Sequence, residues 1–179
     1  EGRCWFGTNR GLSYFGAIKP TFQPSLFVFK NLNSSVIAMA ETPPGTLWAG
    51  TRGDGLFQLS MVQDNIRLGQ NIRRTDGIGS DIPALFAARN GELWVGSNTG
   101  LTILRNRRWH TYPELRGYSI RCFYEDPQAG IWCGTENSRI LYWNGQKWTS
   151  YGSEQGLNCN VVFSITYRRG DASIWAATD

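Results

Sequence analysis

The sequence has little charge, almost no histidine and no long apolar run. Only 18% of its 179 residues are Asp, Glu, Lys or Arg, and the one histidine is His110. A single histidine excludes a His-rich metal site, and no Cys-x-x-Cys pair is present to hold zinc. There is no Gly-Lys-Ser/Thr loop for phosphate. Gly77-Ile78-Gly79 lacks the third glycine and the following helix that a dinucleotide site needs. No cofactor is expected. Apolar stretches end after a few residues, so none spans a membrane as a helix, and no membrane contact is expected of this segment. From Glu1 onward no basic region leads into an apolar one, so no targeting signal is read there. No window carries a helical period, and no low-complexity linker divides the chain.

Glycine and aromatics, by contrast, are abundant: 21 glycines, and 13% Phe, Trp and Tyr. This is the profile of many short strands joined by tight turns. Leu93-Trp94-Val95-Gly96-Ser97, followed by Gly100-Leu101, reads as strand, turn, strand, and it recurs. Trp5, Trp48, Trp94, Trp132 and Trp175 head the copies at spacings of 43, 46, 38 and 43. Internal repeats at such a period mean a solenoid, a propeller or an array.

Each repeat divides into four strands, a to d. The second gives Val36 to Ala40, Leu47 to Thr51, Leu56 to Leu59, and a strand within Ile66 to Ile72. The third gives Ile82 to Phe86, Leu93 to Ser97, Leu101 to Leu104, and Trp109 to Tyr112. The fourth gives Ile120 to Tyr124, Ile131 to Thr135, Ile140 to Trp143, and Trp148 to Tyr151. Two partial repeats flank them. The first has Cys4 to Thr8, Leu12 to Phe15 and Leu26 to Phe29; the last has Val161 to Ile165 and Ile174 to Thr178. The expected fold is therefore an all-β propeller of four-stranded antiparallel blades. About four are present, at residues 1–30 (partial), 36–73, 82–112, 119–151 and 160–179 (partial). Strand a carries a small residue (Ala38, Ala84, Cys122, Ser164) followed by a bulky one (Met39, Leu85, Phe123, Ile165). The Trp column is expected to fill the space between blades. The Gly two residues later leaves room for an adjacent ring or backbone.

Four sets of residues carry a family resemblance. They are Gly91-Glu92-Leu93-Trp94-Val95-Gly96-Ser97, Gly100-Leu101, Trp148-Thr149-Ser150-Tyr151 and Gly156-Leu157-Asn158-Cys159-Asn160. Together they resemble the two-component regulator propeller repeat. The fourth b–c turn departs from the pattern, with Ser138-Arg139 where the others offer Gly, so its turn must differ or be strained. The resemblance implies the extracytoplasmic, periplasmic sensor region of a bacterial hybrid histidine kinase. It also implies a seven-bladed ring of which this chain is an arc, partnered by the rest of its own propeller and by the kinase. It implies no catalysis in this segment.

Candidate sites are few. Cys4, Cys122 and Cys133 occupy columns filled elsewhere by Leu, Ala or Val, so they read as core thiols, while Cys159 aligns with Ser34 and Ser80 and reads as exposed. Glu125-Asp126, before Pro127, reads as a turn cap. The b–c and d–a loops share one rim. There Asn9, Arg10, Arg52, Asp54, Asn98, Glu136, Asn137 and Arg139 join Asn33, Asp81, Tyr118, Asn158 and Asn160. Amide-rich loops with an occasional aromatic suit a polar small molecule or an oligosaccharide. The net charge of +4 brings no nucleic-acid partner, because Arg73-Arg74, Arg107-Arg108 and Arg168-Arg169 lie in three separate loops. With unpaired blade faces, the chain is expected to self-associate.

Overall fold

Runs of β-branched and aromatic residues between glycine turns pair with their nearest neighbours, and every pairing observed is antiparallel. The structure, a computed structural model, describes residues 3–16, 34–62, 65–72 and 77–179. The first sheet pairs β1 (Arg3–Thr8) with β2 (Gly11–Gly16). The second runs β3 (Val36–Glu41), β4 (Thr46–Thr51), β5 (Leu56–Val62) and β6 (Asn65–Ile72). The third runs β7 (Ala84–Ala87), β8 (Leu93–Ser97), β9 (Gly100–Arg105) and β10 (Arg108–Thr111). The fourth runs β11 (Ile120–Glu125), β12 (Ile131–Thr135), β13 (Ile140–Trp143) and β14 (Trp148–Tyr151). The fifth pairs β15 (Val162–Arg168) with β16 (Ser173–Thr178). Among the described residues the only helical segments are single 3-10 turns at Pro113–Leu115 and Ser153–Gln155. The strand expected at residues 26–29 lies outside the described residues.

Two strands begin later than the sequence reading, for a shared reason. β7 begins at Ala84, not Ile82, because the Ile82 amide donates instead to Thr51 O of the preceding sheet (2.9 Å) and Pro83 has no amide to give. β15 begins at Val162, because the Val161 amide is taken by Asp179 Oδ1 (3.0 Å). The first strand of a sheet is thus tied to its surroundings before its own ladder starts.

Consecutive sheets stack through their inner strands, β1 on β3, β3 on β7, β7 on β11 and β11 on β15. The glycine column sits at these contacts. A Cβ on Gly50 would come within 2.7 Å of Ile82, and one on Gly96 within 2.8 Å of Ile120. On Gly134 it would lie 2.7 Å from Val162 Cγ1, and on Gly7 2.6 Å from Val36 O. Each glycine therefore seats a β-branched residue at the start of the next sheet or just before it, and Val36, Ile82, Ile120 and Val162 are all buried there.

The tryptophan column fills the same interfaces. Trp94 is 1% exposed and packs on Ile120, Ile131 and Leu141, while Trp48 is 3% exposed and packs on Leu93 and Val95. Each is capped by an outer-strand tryptophan of the following sheet, Trp48 by Trp109 and Trp94 by Trp148. Trp5 is half-buried against Val36 and Leu47. The expectation that the column fills the space between blades fails at the far end. Trp132 is only half-buried between Tyr142 and Tyr151, because the sheet after it has just two described strands and no outer one to cap the ring. Trp175 is 55% exposed, since no further sheet among the described residues covers it. Cys4 is exposed rather than core, since no sheet among the described residues precedes the first one.

Candidate functional site

The rim of b–c turns and d–a loops is built from the last residue of each second strand. Thr8, Thr51, Ser97 and Thr135 each donate a side-chain hydroxyl across the turn, to the carbonyls of Gly11, Gly55, Gly100 and Arg139 at 2.8–3.0 Å. The same oxygens accept turn amides, which closes each turn on itself. The fourth turn solves its missing glycine by moving the left-handed residue: Ser138 takes φ +58°, where the second turn uses Gly53 and Gly55. Backbone bonds then stitch turns to loops. Gly55 N–H donates to Ser80 O (2.8 Å), Gly117 N–H to Thr99 O (3.0 Å) and Ser138 N–H to Asn160 O (3.0 Å).

Several of the polar rim residues singled out in the sequence are occupied by this stitching. Asp54 accepts from Ser34 Oγ. Asn137 Oδ1 accepts from Ser119 N–H at 2.7 Å, and Glu136 accepts from Ser119 Oγ and pairs with Arg121 at 3.0 Å. Asn160 donates to Asp179, whose carboxyl is held below its usual range by the amides of Val161 and Asn160 and by the Asn160 side chain. Arg139 lies over Gly152, Tyr118 packs on the Trp94 cluster, and Asp81 is half-buried with its carbonyl accepting from Asn98 N–H. Asn9, Arg10, Arg52 and Asn158 are exposed and scattered among different turns; Asn33 lies outside the described residues.

Asn98 lines a groove. A groove of about 680 Å3 opens on this rim, between the 77–80 loop, the 98–100 turn and the 111–117 loop. Ser80, Asn98, Thr99 and Thr111 give it hydroxyl and amide groups, and Arg116 is its one formal charge. Glycines make the approach possible. A Cβ on Gly79 would meet Asn98 Oδ1 at 2.5 Å, and one on Gly77 would meet Thr111 Cγ2 at 3.0 Å. At the level of sequence this Gly77-Ile78-Gly79 stretch is weighed only as a dinucleotide site. Its use here is to let the loop press against the neighbouring turn.

A second groove, of about 470 Å3, lies on the opposite rim against Trp94 and Trp143. Its charges are already matched. Arg89 pairs with Glu125 at 3.2 Å, and Arg105 with Glu92, which also accepts from Trp94 Nε1 at 3.1 Å. Asp126 caps the adjacent turn, as its position before Pro127 suggested. It accepts from Gln128 and Gly130 amides at 2.9 and 2.8 Å and from Trp132 Nε1 at 3.0 Å. Among the described residues no cluster of His, Cys, Asp or Glu could hold a metal, and no helix is long and apolar enough to cross a membrane.

Solved structures share this fold. The extracellular domain of the putative hybrid two component system BT3049 from B. thetaiotaomicron superposes with a TM-score of 0.76 at 18% identity, over 98% of this chain and 25% of that one. The fold is that of a β-propeller. The extracellular domain of the putative one component system BT4673, also from B. thetaiotaomicron, gives a TM-score of 0.69 at 17% identity, over 98% of this chain and 24% of that one. A catalytically inactive virginiamycin B lyase from Staphylococcus aureus gives 0.68 at 13% identity, over 99% and 60%. The chain thus spans about a quarter of the length of the two extracellular domains. No family model matches it, and no curated protein does.

Proposed function

We propose that this propeller segment is a ligand-sensing part of the extracytoplasmic region of a two-component signal transduction system. Its ligand is a polar small molecule or an oligosaccharide. The observation that carries the reading is the rim groove, which combines a small-ligand volume with hydroxyl and amide groups held on three stitched loops. The similar extracellular domains of a hybrid and a one component system support the signalling context, and with it a periplasmic location. Binding between loops of neighbouring blades would bias the blades' mutual packing, which the rest of the propeller relays to a kinase; chemistry belongs to that kinase and not to this segment.

Thermal-shift measurements on the intact protein against a panel of neutral and acidic oligosaccharides test this. The expected result is a saturable rise in Tm with at least one member, abolished by Asn98→Ala combined with Thr99→Val. A panel in which no member shifts Tm, or a shift that survives both substitutions, would overturn it. A second reading, a protein-interaction scaffold, rests on the apolar face carrying Phe163 and Trp175, 52% and 55% exposed. It predicts a protein partner whose binding Trp175→Ser abolishes. A lyase reading has less behind it, since His110 is exposed on the outer strand β10 and is not part of the groove wall.

A further inference from the structure

The two grooves differ in charge, and the difference bears on what the rim groove takes. On the opposite rim every charged side chain in the wall has a partner of opposite sign. On the ligand-sensing rim the wall contains one charged side chain, Arg116, which is exposed and makes no ion pair among the described residues. No carboxylate lines that groove; Asp81 and Glu114 are near in sequence but lie outside its wall. The backbone amides of Gly79 and Ser80 likewise find no acceptor among the described residues. The wall is therefore rich in donors and carries an uncompensated positive charge.

Arg116 is also held in place. Leu115 beside it is buried as a plug in the core shared by the third and fourth blades. Gly117 N–H is bonded to Thr99 O, and Gly100 presses so closely on this loop that a Cβ there would meet Leu115 O at 3.1 Å and Arg116 Cα at 3.6 Å. The fixed backbone roots the Arg116 side chain at the groove, and its guanidinium fork matches planar or tetrahedral oxyanions.

We infer that the rim groove binds an anionic, hydroxyl-rich ligand: an acidic saccharide whose carboxylate or sulfate meets Arg116, while Ser80, Asn98, Thr99 and Thr111 bond its hydroxyls. This inference rests on the sensing reading and narrows its ligand class. Because Arg116 is solvent-exposed, the anionic preference weakens as salt rises.

Isothermal calorimetry on the intact protein tests it with three probes of equal length: a galacturonate oligomer, a sulfated galactose oligomer and a neutral galactose oligomer. At low salt at least one anionic probe is expected to bind roughly tenfold more tightly than the neutral one, as a charge-assisted hydrogen bond implies. Arg116→Gln should reduce that probe to the neutral level with Tm unchanged, and Arg116→Lys should restore part of the preference. Which anionic probe binds identifies carboxylate or sulfate as the group recognised. Equal binding of the neutral probe, or a preference that survives Arg116→Gln, overturns this inference and leaves the sensing reading standing. Failure of all three probes to bind overturns both.

Discussion

Single residues in this chain take their environment from the blade that follows them. Trp94 and Trp175 hold the same repeat position, yet one is 1% exposed and the other 55%. Trp94→Ala should therefore lower stability by about 3–5 kcal/mol, the cost of an unfilled large core site, while Trp175→Ala should change it by about 0.5 kcal/mol or less. Urea unfolding midpoints of the two variants check this, and equal losses would contradict the interface role of the column. The thiols follow the same logic. All four are free; Cys133 is fully enclosed, and burial holds its thiol well above the ordinary 9.0, with Cys122 raised by burial as well. The folded chain keeps these protons where the unfolded chain releases them. Their contribution is thus complete below pH 9.0 and is lost as pH climbs toward the folded values. Cys133→Val, which supplies the residue found at Val95, should flatten this alkaline loss in stability-versus-pH curves. Tyr112 and Tyr142, both raised chiefly by burial, leave a residual slope. Labelling of the native protein should reach Cys4 first and Cys133 last.

At the level of strands, the sequence revealed most where a physical demand repeats. The third and fourth second-strands, Leu93–Ser97 and Ile131–Thr135, fall where the Trp-x-Gly pattern placed them, because one tryptophan and one glycine per blade meet the same packing need. Ile82 and Val161 were misread as strand because their amides serve a neighbouring sheet or a distant carboxylate, partners no local pattern announces. The rim was misleading for a related reason. Asp54, Asn137 and Asn160 look like ligand groups by type, but the Ser34 hydroxyl, the Ser119 amide and the Asp179 carboxylate claim them first. Groove residues such as Gly79 and Arg116 had no repeated column to mark them. The glycine column gives a direct test: Gly96→Ala drives a Cβ into Ile120 at 2.8 Å and should cost about 1–3 kcal/mol in thermal unfolding. The same change at Gly45, where nothing lies within 4 Å, brings only the strain of its φ of +83°.

Over the whole molecule, two sheet faces stay bare among the described residues. Cys4 is exposed on the first, and Phe163 and Trp175 mark the last. Apolar faces of this kind associate, so the 179-residue chain is expected to sediment as concentration-dependent oligomers, and Trp175→Ser should shift it toward monomer. A monomer at every concentration, for both proteins, would refute that expectation. Between those faces, the third and fourth blades share a chain of rings. Tyr112, from the wall of the rim groove, lies 5.7 Å from Trp143 and 5.6 Å from Trp148. Trp148 in turn stands 5.2 Å from Trp143 and 6.1 Å from Trp94, both of which wall the groove on the opposite rim. Rings this close exchange excitation energy far faster than they emit. Light absorbed at either rim is therefore pooled in a single emitting cluster, and occupancy of either groove alters one fluorescence signal native to the protein.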